Sequence, residues 1–392
     1  MPITPDLRIA IVAGEHSGDQ LGGKLLASMR QSFPPFTTVG VGGEAMAAQG
    51  HTSFYPLADV AVMGPVAILK ALPRLVSRVY SAVDQVLAFD PHLVVIIDSP
   101  EFTHPIAKRI RKRRPEIPII DYVSPTVWAW RPGRAKKMAP YVDHLLALLP
   151  FEPAAHARLG GPRCTYVGHP LVERLDWIKA QDFTALRGTL AIAPDAKSLV
   201  VLPGSRMSEV ERIGPQFRGA VDRLAAQHPL HVIIPVVPGV RARVEALFAD
   251  APCPVSFISG DEAKFAAFTG ADAALAASGT VTLELAVSGC PMVVGYDVDL
   301  FARQLRFLVQ TDAFALANLV LGEKAFPELM VEECEPVGLA REIGALLDRG
   351  SPQYRAQRAA LDRIAERMAV PGNAPSTAAA QIIAGYLPAS YR

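Results

Sequence analysis

The stretch that decides the fold is residues 199–212, with the sequence LVVLPGSRMSEVER. It begins as an apolar run, turns at residues 203–205 and becomes charged at helical spacing, which predicts a strand, a tight turn and a helix start. Ligands of open parallel sheets bind at this strand edge, where helix N–H groups attract phosphate. Gly204, Ser205 and Arg206 are therefore candidate phosphate ligands. An ordinary strand–helix turn with a solvated arginine explains the stretch equally well.

A second turn of the same kind follows the predicted strand 271–277. It reads SGTVTLELA over residues 278–286, so Ser278, Gly279 and Thr280 are candidates to hold a diphosphate. Glu284 lies one helical turn further on, where a carboxylate can accept two vicinal hydroxyls. Alternatively, Glu284 only complements the helix dipole. Two such turns in one sheet indicate a phosphate-binding site more specifically than either turn alone.

The first half of the chain carries a candidate acid–base group. Residues 93–97 (LVVII) read as a buried parallel strand that ends at Asp98. A carboxylate at the carboxyl end of a strand is well placed for proton transfer, although an Asp there also commonly caps the next helix. The earlier turn 14–19 (GEHSGD) lacks the G-x-G-x-x-G spacing, so it supports a dinucleotide site only weakly.

Length and composition indicate the class of protein. The 392 residues exceed one compact core and predict two domains, and the net charge is only +1. Residues 104–137 nevertheless carry ten Lys or Arg against two acidic residues, a local net charge of +8. The four cysteines form no C-x-x-C pair, so neither a disulfide framework nor a zinc site is expected. The start of the chain lacks the features of a signal peptide, and no apolar run is long enough to span a membrane.

Two features bear on partners. A helix predicted over residues 65–83 has a basic stripe that includes Lys70 and Arg74 beside an apolar body, which favours an anionic membrane surface or an acyl chain. A core helix with a solvated basic edge is the alternative. The loop 123–131 combines two tryptophans with Arg131, but no nucleic-acid motif follows, so a sugar-facing or lipid-facing loop fits equally well.

Strands alternate with helices through both halves of the chain. This pattern predicts an α/β fold of two Rossmann-like parallel-sheet domains that face each other across a cleft, with helices at the C-terminus. The expected divisions are residues 1–170, residues 171–350, and C-terminal helices at 351–392 that pack back toward the N-terminal half.

These motifs together resemble the lipid-A-disaccharide synthase family, UDP-sugar-dependent glycosyltransferases with the two-domain GT-B fold. The resemblance runs almost from end to end, and its most specific strings are WAWR at 128–131 and PGSR at 203–206. The other matching segments lie at residues 13–22, 62–64, 98–102, 122–127, 149–152, 167–169, 209–210, 277–280 and 290–296.

The resemblance implies inverting transfer of 2,3-diacylglucosamine from UDP to 2,3-diacylglucosamine 1-phosphate, which forms a β-1,6 disaccharide. Asp98 would be the general base, and the nucleotide sugar would bind the C-terminal half. The implied residues of that nucleotide-sugar site are Gly204, Ser205, Arg206, Ser278, Gly279, Thr280, Glu284 and Asn318. The implied acceptor loops of the N-terminal half carry Glu15, Ser17, Asp19, Trp128 and Arg131. The implied membrane-facing residues are Met63, Ile68, Leu69, Lys70, Leu72 and Arg74.

The chain departs from the family pattern at one place. Where the family usually has Lys-Thr followed by Leu-Pro-Asn, residues 310–318 read QTDAFALAN, so Gln310 and Ala317 differ while Asn318 matches. These differences concern the conformation of this loop and a cationic contact there.

The expected partners are UDP-diacylglucosamine, diacylglucosamine 1-phosphate and the inner leaflet of the inner membrane, with no nucleic acid. No cofactor or metal is expected, because no carboxylates have metal-ligand spacing. A cytoplasmic, peripherally bound enzyme follows, and a homodimer stays open. Two alternatives remain at this point: a nucleotide-sugar 2-epimerase with the same fold, and a non-catalytic module that binds UDP or membranes.

Overall fold

Two parallel sheets, each covered by helices, make up the protein. The computed structural model describes residues 7–62, 65–297, 311, 313–370, 372 and 374–391, with the backbone alone for 65–70. The chain divides into two units, Met1–Val172 with Val370–Arg392, and Glu173–Ala369. The prediction of an α/β fold with two parallel-sheet domains is confirmed.

The first unit contains, within the described residues, a seven-stranded sheet in the order β3-β2-β1-β4-β5-β6-β7. Its strands are β1 (Leu7–Ala13), β2 (Phe36–Val41), β3 (Thr52–Ser53), β4 (Leu93–Ile97), β5 (Ile119–Tyr122), β6 (His144–Ala147) and β7 (Cys164–Tyr166). Its helices up to the division are α1 (His16–Ser32), α2 (Glu44–Ala47), α3 (Pro65–Phe89), α4 (Pro100–Arg113), α5 (Gly133–Met138) and α6 (Glu152–Leu159).

The second unit has a six-stranded sheet in the described part of the chain, in the order β10-β9-β8-β11-β12-β13. Its strands are β8 (Lys197–Leu202), β9 (Leu230–Pro235), β10 (Val255–Ile258), β11 (Ala273–Ala277), β12 (Met292–Tyr296) and β13 (Glu328–Met330). Its helices are α7 (Leu175–Lys179), α8 (Phe183–Thr189), α9 (Met207–Ala225), α10 (Arg241–Phe248), α11 (Asp261–Gly270), α12 (Val281–Val287), α13 (Leu316–Leu321), α14 (Pro336–Leu347) and α15 (Pro352–Met368). One further helix, α16 (Pro375–Ala384), belongs to the first unit.

The apolar character of the central strands follows from burial on both faces. In β1, Ile9 and Ile11 pack in one core with α1 and α16, whereas Ala10 and Val12 pack in another with α3 and α4. A parallel strand that is covered on both sides needs apolar residues at every position, which explains the continuous run in the sequence.

The two C-terminal helices α15 and α16 belong to different units. Residues 351–392 were expected to pack together toward the N-terminal half, but α15 belongs to the second unit. The side chain of Gln357 on α15 accepts from the N–H of Met292 at 2.8 Å and donates to the Met292 carbonyl at 3.0 Å. These bonds fix α15 beside β12, whereas α16 packs in the core of the first sheet.

Strand order defines where ligands bind. The first sheet reverses its winding between β1 and β4, and the second between β8 and β11. Crevices open at such reversals, outside the carboxyl ends of the strands. The loops that follow these four strands begin at Gly14, Asp98, Pro203 and Ser278. None of the helices in the described ranges is both long and apolar enough to cross a membrane.

Candidate active site

Asp98 follows β4 in an unusual backbone conformation. Its φ is 56° and that of Ser99 is 43°, so two consecutive non-glycine residues are left-handed. Such conformations cost free energy and concentrate at functional sites. The Oδ1 of Asp98 accepts from the N–H of Ser99 at 2.7 Å, and the Ser17 hydroxyl lies 3.3 Å from its Oδ2. The bond to Ser99 lies outside α4, so the structure does not use Asp98 as the cap of that helix.

The loop after β1 approaches Asp98 closely. Gly14 has no room for a side chain, because an added Cβ would lie 2.4 Å from the Cβ of Ser99. This glycine therefore brings the loop against the turn at Asp98. The Ser17 hydroxyl donates to Glu15 Oε1 at 3.0 Å as well as facing Asp98, so one serine connects the two carboxyl groups.

The two carboxyl groups influence each other. A hydrogen bond with Asp98, burial and the charge of Asp98 together raise the pKa of Glu15 above its usual value. A protonated Glu15 can donate this hydrogen bond to an ionised Asp98. The arrangement can accept and hold a proton, which is what general base catalysis requires.

An apolar cavity of about 1070 Å³ lies beside this carboxyl pair. Glu15, Ser17 and Ser99 form part of its polar wall. Its apolar wall comes from α3, α4 and the segment before α3, and includes Val60, Leu72, Leu75, Val76, Val79 and Phe102. Ligand cavities of drug-sized molecules reach about 1,000 Å³, so this space suits a large amphiphile.

A smaller cavity of about 460 Å³ lies at the corresponding edge of the second sheet. The loops after β8, β9, β10 and β11 line it, and so do Lys264 and Glu284. Gly279 has a φ of 145°, and a Cβ built on it would meet nothing within 4 Å. The Gly279 backbone is therefore open to a ligand. The Ser278 hydroxyl is already used, because it donates to the Phe314 carbonyl at 3.0 Å.

Lys264 is a residue of this cavity that the sequence analysis missed. Its Nζ lies 3.2 Å from Glu284 and 3.3 Å from Asp261, and it also contacts the Phe265 ring. These contacts hold the Lys264 ammonium at the wall of this cavity, which is large enough for a nucleotide. The sequence gives no signal for Lys264, because it belongs to neither of the two glycine turns and no motif surrounds it.

The turn at Gly204 differs from the expectation. Its backbone N–H groups were expected to hold phosphate, but those of Ser205 and Arg206 donate to Glu209 Oε2 at 3.0 and 3.3 Å. Glu209 also pairs with the Arg206 guanidinium at 2.7 Å. The carboxylate three residues into the helix folds back in the manner of a capping box and takes the place expected for an anion. Gly204, Ser205 and Arg206 still line the cavity.

Three predicted site residues have structural roles instead. Asp19 is 2% exposed and accepts from the N–H groups of Gly43, Ala45 and Met46, which start α2. Asn318 is 1% exposed, and its amide bonds both backbone groups of Phe326. Asp19 and Asn318 are therefore unavailable to a ligand.

Trp128 is the third of these residues. Its Nε1 donates to the buried Glu152 at 3.3 Å, and its ring contacts Phe151 edge-on at 5.2 Å. Neither contact faces the large cavity. Arg131, by contrast, lines that cavity and lies 3.6 Å from Glu101 with a largely exposed side chain.

Several of the residues predicted to face the membrane lie outside the part of the chain that the structure describes. Met63 and Gln310 lie outside the described residues, as do the side chains of Ile68, Leu69 and Lys70. Leu72 is 48% exposed, and Arg74 on the same helix is exposed as well. Within the residues that are described, no group of three or more His, Cys, Asp or Glu side chains could hold a metal ion. That the reaction needs no cofactor stays a prediction.

Solved structures define the class of protein first. The chain is similar to the UDP-GlcNAc 2-epimerase from Neisseria meningitidis bound to UDP-GlcNAc, with a TM-score of 0.60 at 13% identity over 96% of this chain and 98% of that one. It is also similar to the calicheamicin glycosyltransferase CalG4, with a TM-score of 0.61 at 16% identity over 97% and 98% of the two chains. The fold is therefore the GT-B fold of glycosyltransferases and nucleotide-sugar epimerases.

Sequence relatives then identify the family. The family model described as lipid-A-disaccharide synthetase matches residues 9–382. The lipid-A-disaccharide synthase of Nitrobacter hamburgensis is 43% identical over 96% of this chain and 94% of its own, and that of Ruegeria pomeroyi is 41% identical over 97% and 96%. The chain belongs to the lipid-A-disaccharide synthase family and is a UDP-sugar-dependent glycosyltransferase of lipid A biosynthesis. The predicted family and enzyme class are confirmed.

Proposed function

We propose that this glycosyltransferase moves 2,3-diacylglucosamine from UDP to 2,3-diacylglucosamine 1-phosphate, forming a β-1,6 disaccharide and releasing UDP. The observation that carries the proposal is a carboxyl pair, Asp98 and Glu15, beside an apolar cavity of about 1070 Å³. A proton acceptor next to an apolar space suits an acceptor that has both a reactive hydroxyl and acyl chains.

Asp98 acts as general base in the proposed reaction. It takes the proton of the acceptor's primary hydroxyl while that oxygen attacks the anomeric carbon of the donor sugar. The bond from this carbon to the diphosphate breaks, the electron pair leaves with UDP, and the configuration inverts. Glu15 and Ser17 orient the Asp98 carboxylate through the bonds described above.

The donor occupies the 460 Å³ cavity of the second unit in this proposal. The open backbone at Gly279 and the Lys264 ammonium stabilise the diphosphate as negative charge develops on it. Glu284 accepts the ribose hydroxyls. Arg206 lies at the cavity with 64% of its side chain exposed, so its guanidinium can turn toward a bound anion.

The assay of choice is UDP release on mixing donor and acceptor, with each substrate alone as a control. Release that requires both substrates and yields a disaccharide phosphate supports the proposal. Glu284→Gln is expected to raise the KM for the donor about tenfold or more, because it removes a charged hydrogen-bond acceptor. Glu262→Gln removes an exposed carboxylate outside the cavity and is expected to have no effect. Hydrolysis of the donor without acceptor would contradict the proposal.

We also propose that α3 places the enzyme on the anionic inner leaflet of the inner membrane. Leu72 and Val76 are each 48% exposed on a helix that also carries the exposed Arg74, so the helix presents both apolar and basic groups to solvent. Such a helix binds anionic interfaces through burial of its apolar groups and through attraction of its basic groups to anionic lipids.

A double variant tests the membrane proposal. Leu72→Ser with Arg74→Glu is expected to weaken binding to anionic vesicles about tenfold or more, because it removes apolar burial and reverses a charge. The matched control is Val337→Ser with Arg341→Glu, a pair on α14 where Val337 is 54% exposed. Vesicle sedimentation over a range of salt concentrations measures both. Equal binding of the two double variants, or binding that salt does not weaken, would count against the surface.

A further inference from the structure

Arg109 on α4 is a cation with neutral partners at the wall of the large cavity. Its guanidinium donates to the Pro105 carbonyl at 2.9 Å and to the Tyr80 hydroxyl at 3.3 Å. It also lies 4.6 Å from the centre of the Tyr80 ring. Both Arg109 and Tyr80 line the cavity. Two neutral acceptors fix the orientation of the guanidinium without neutralising its charge.

The neighbouring cations of α4 differ from Arg109. Two of them have carboxylate partners, in the pairs Arg111 with Asp143 and Arg113 with Asp84. Arg114, directly after the helix, pairs with Asp90 and Glu116. Within the described residues, the hydrogen bonds of Arg109 go to two neutral oxygens, and its other contact is with the neutral Tyr80 ring. A positive charge that has no internal counterion and faces a cavity is suited to an anionic ligand group.

The length of α4 between the turn at Asp98 and the Arg109 guanidinium is close to the length of one sugar. The cavity wall follows α4 from Ser99 through Glu101 and Pro105 to Arg109. Because the guanidinium bonds the Pro105 carbonyl, it lies about one helical turn back from its own Cα. Six residues separate Ser99 from Pro105, which is on the order of 9 Å along a helix axis. A hexose with a hydrogen bond at either end spans a comparable length.

We propose that Arg109, oriented by Tyr80, binds the phosphate monoester of the acylated sugar acceptor and makes the enzyme selective for the phosphorylated form. This proposal rests on the proposed function, since it assigns one end of the acceptor to Arg109 and the reactive hydroxyl at the other end to Asp98. The acyl chains then lie along the apolar wall formed by α3. Arg131 lines the same cavity, where it lies 3.6 Å from Glu101, so its charge has a counterion that Arg109 lacks.

The test compares Arg109→Gln with the wild type on two acceptors, diacylglucosamine 1-phosphate and diacylglucosamine without the phosphate, in neutral detergent micelles. Loss of charged hydrogen bonds to phosphate is expected to raise the KM for the phosphorylated acceptor about 10- to 100-fold. The kcat and the KM for the unphosphorylated acceptor are expected to stay the same. Arg109→Lys is expected to restore part of the preference.

Arg113→Gln is the matched control, because it removes one charge from the same helix at an exposed site paired with Asp84. It is expected to keep the wild-type preference for phosphate. An unchanged ratio of the two KM values in Arg109→Gln would overturn the assignment. Weaker binding to anionic vesicles with an unchanged ratio would also overturn it and would assign Arg109 to membrane lipid. Lack of turnover by the wild type would instead refute the proposed function.

Discussion

Replacing Asp98 with Asn is expected to lower turnover by about 10²- to 10⁴-fold, because it removes the proposed general base. The measurement is UDP release at saturating donor and acceptor as a function of pH. The variant has no carboxylate at position 98, so its pH profile is expected to differ from that of the wild type. Near-normal turnover with the wild-type pH dependence would remove Asp98 from the mechanism.

Asn is the appropriate replacement because the local structure tolerates it. Asn adopts left-handed conformations more readily than most residues, so the φ of 56° at position 98 adds little strain. Its side-chain oxygen can still accept from the N–H of Ser99, as Asp98 Oδ1 does. Asp84→Asn is the control, since Asp84 is exposed and pairs with Arg113 outside the cavity. If both variants have the melting temperature of the wild type, the lower turnover of Asp98→Asn results from the missing carboxylate and not from unfolding.

The two candidate sites could be predicted from the sequence because both lie at the ends of strands. An apolar run followed by Asp98, and another followed by Ser278 and Gly279, mark strands that border the two reversals of winding. The physical reason is general: in a parallel sheet, the carboxyl ends of adjacent strands meet at one edge. The apolar pattern and the turn residues are local, and local patterns are visible in a sequence.

The features that could not be predicted from the sequence depend on contacts between residues that are distant along the chain. Asp19 and Asn318 are polar residues near site motifs, yet each bonds backbone groups of another segment and is buried. Lys264 enters the second cavity from α11 with no motif around it. The edge strands β3 and β13 have two and three residues, too few for a periodic pattern. Such features follow from packing, which the sequence specifies only through the complete fold.

The first unit is expected to unfold in acid above pH 4, before the second unit does. Burial lowers the pKa of four of its histidines from 6.5 to about 4, namely His51, His144, His156 and His169. The unfolded chain therefore binds more protons than the folded unit between pH 6.5 and 4. Stability is fully present above this range and falls as the pH falls through it.

Buried carboxyl groups offset part of this effect. Burial raises the pKa of Glu152 to about 7, so the folded state binds more protons than the unfolded chain between pH 4.5 and 7 and gains stability as the pH falls. Burial also raises the pKa of Asp121. Each complete shift of about 2.5 units corresponds to roughly 3 kcal/mol. Four histidines outnumber these two carboxyl groups, so on balance the first unit is expected to lose stability as the pH falls.

The three tryptophans allow each unit to be followed separately. Trp128 and Trp130 lie in the first unit and Trp177 in the second. Fluorescence of Trp177→Phe therefore reports the first unit, and that of Trp128→Phe with Trp130→Phe reports the second. We expect the first unit to have its acid midpoint between pH 4 and 6.5, and the second to have its midpoint at lower pH. Coincident midpoints, or a first-unit midpoint below pH 4, would contradict the expectation.

A single substitution tests the cause of this acid sensitivity. His156 is fully buried, contacts the Ser124 hydroxyl through Nε2 at 2.9 Å, and leaves its Nδ1 without a hydrogen bond. His156→Gln removes one titrating group, so the slope of unfolding free energy against pH is expected to decrease by up to about 1.4 kcal/mol per pH unit between pH 4 and 6.5. His228→Gln is the control, because it lies in the second unit and the slope is measured on the first. Because Gln lacks a titratable proton, a lower slope in His156→Gln alone ties the acid sensitivity to the charging of buried imidazoles rather than to general repulsion among the cations of α4.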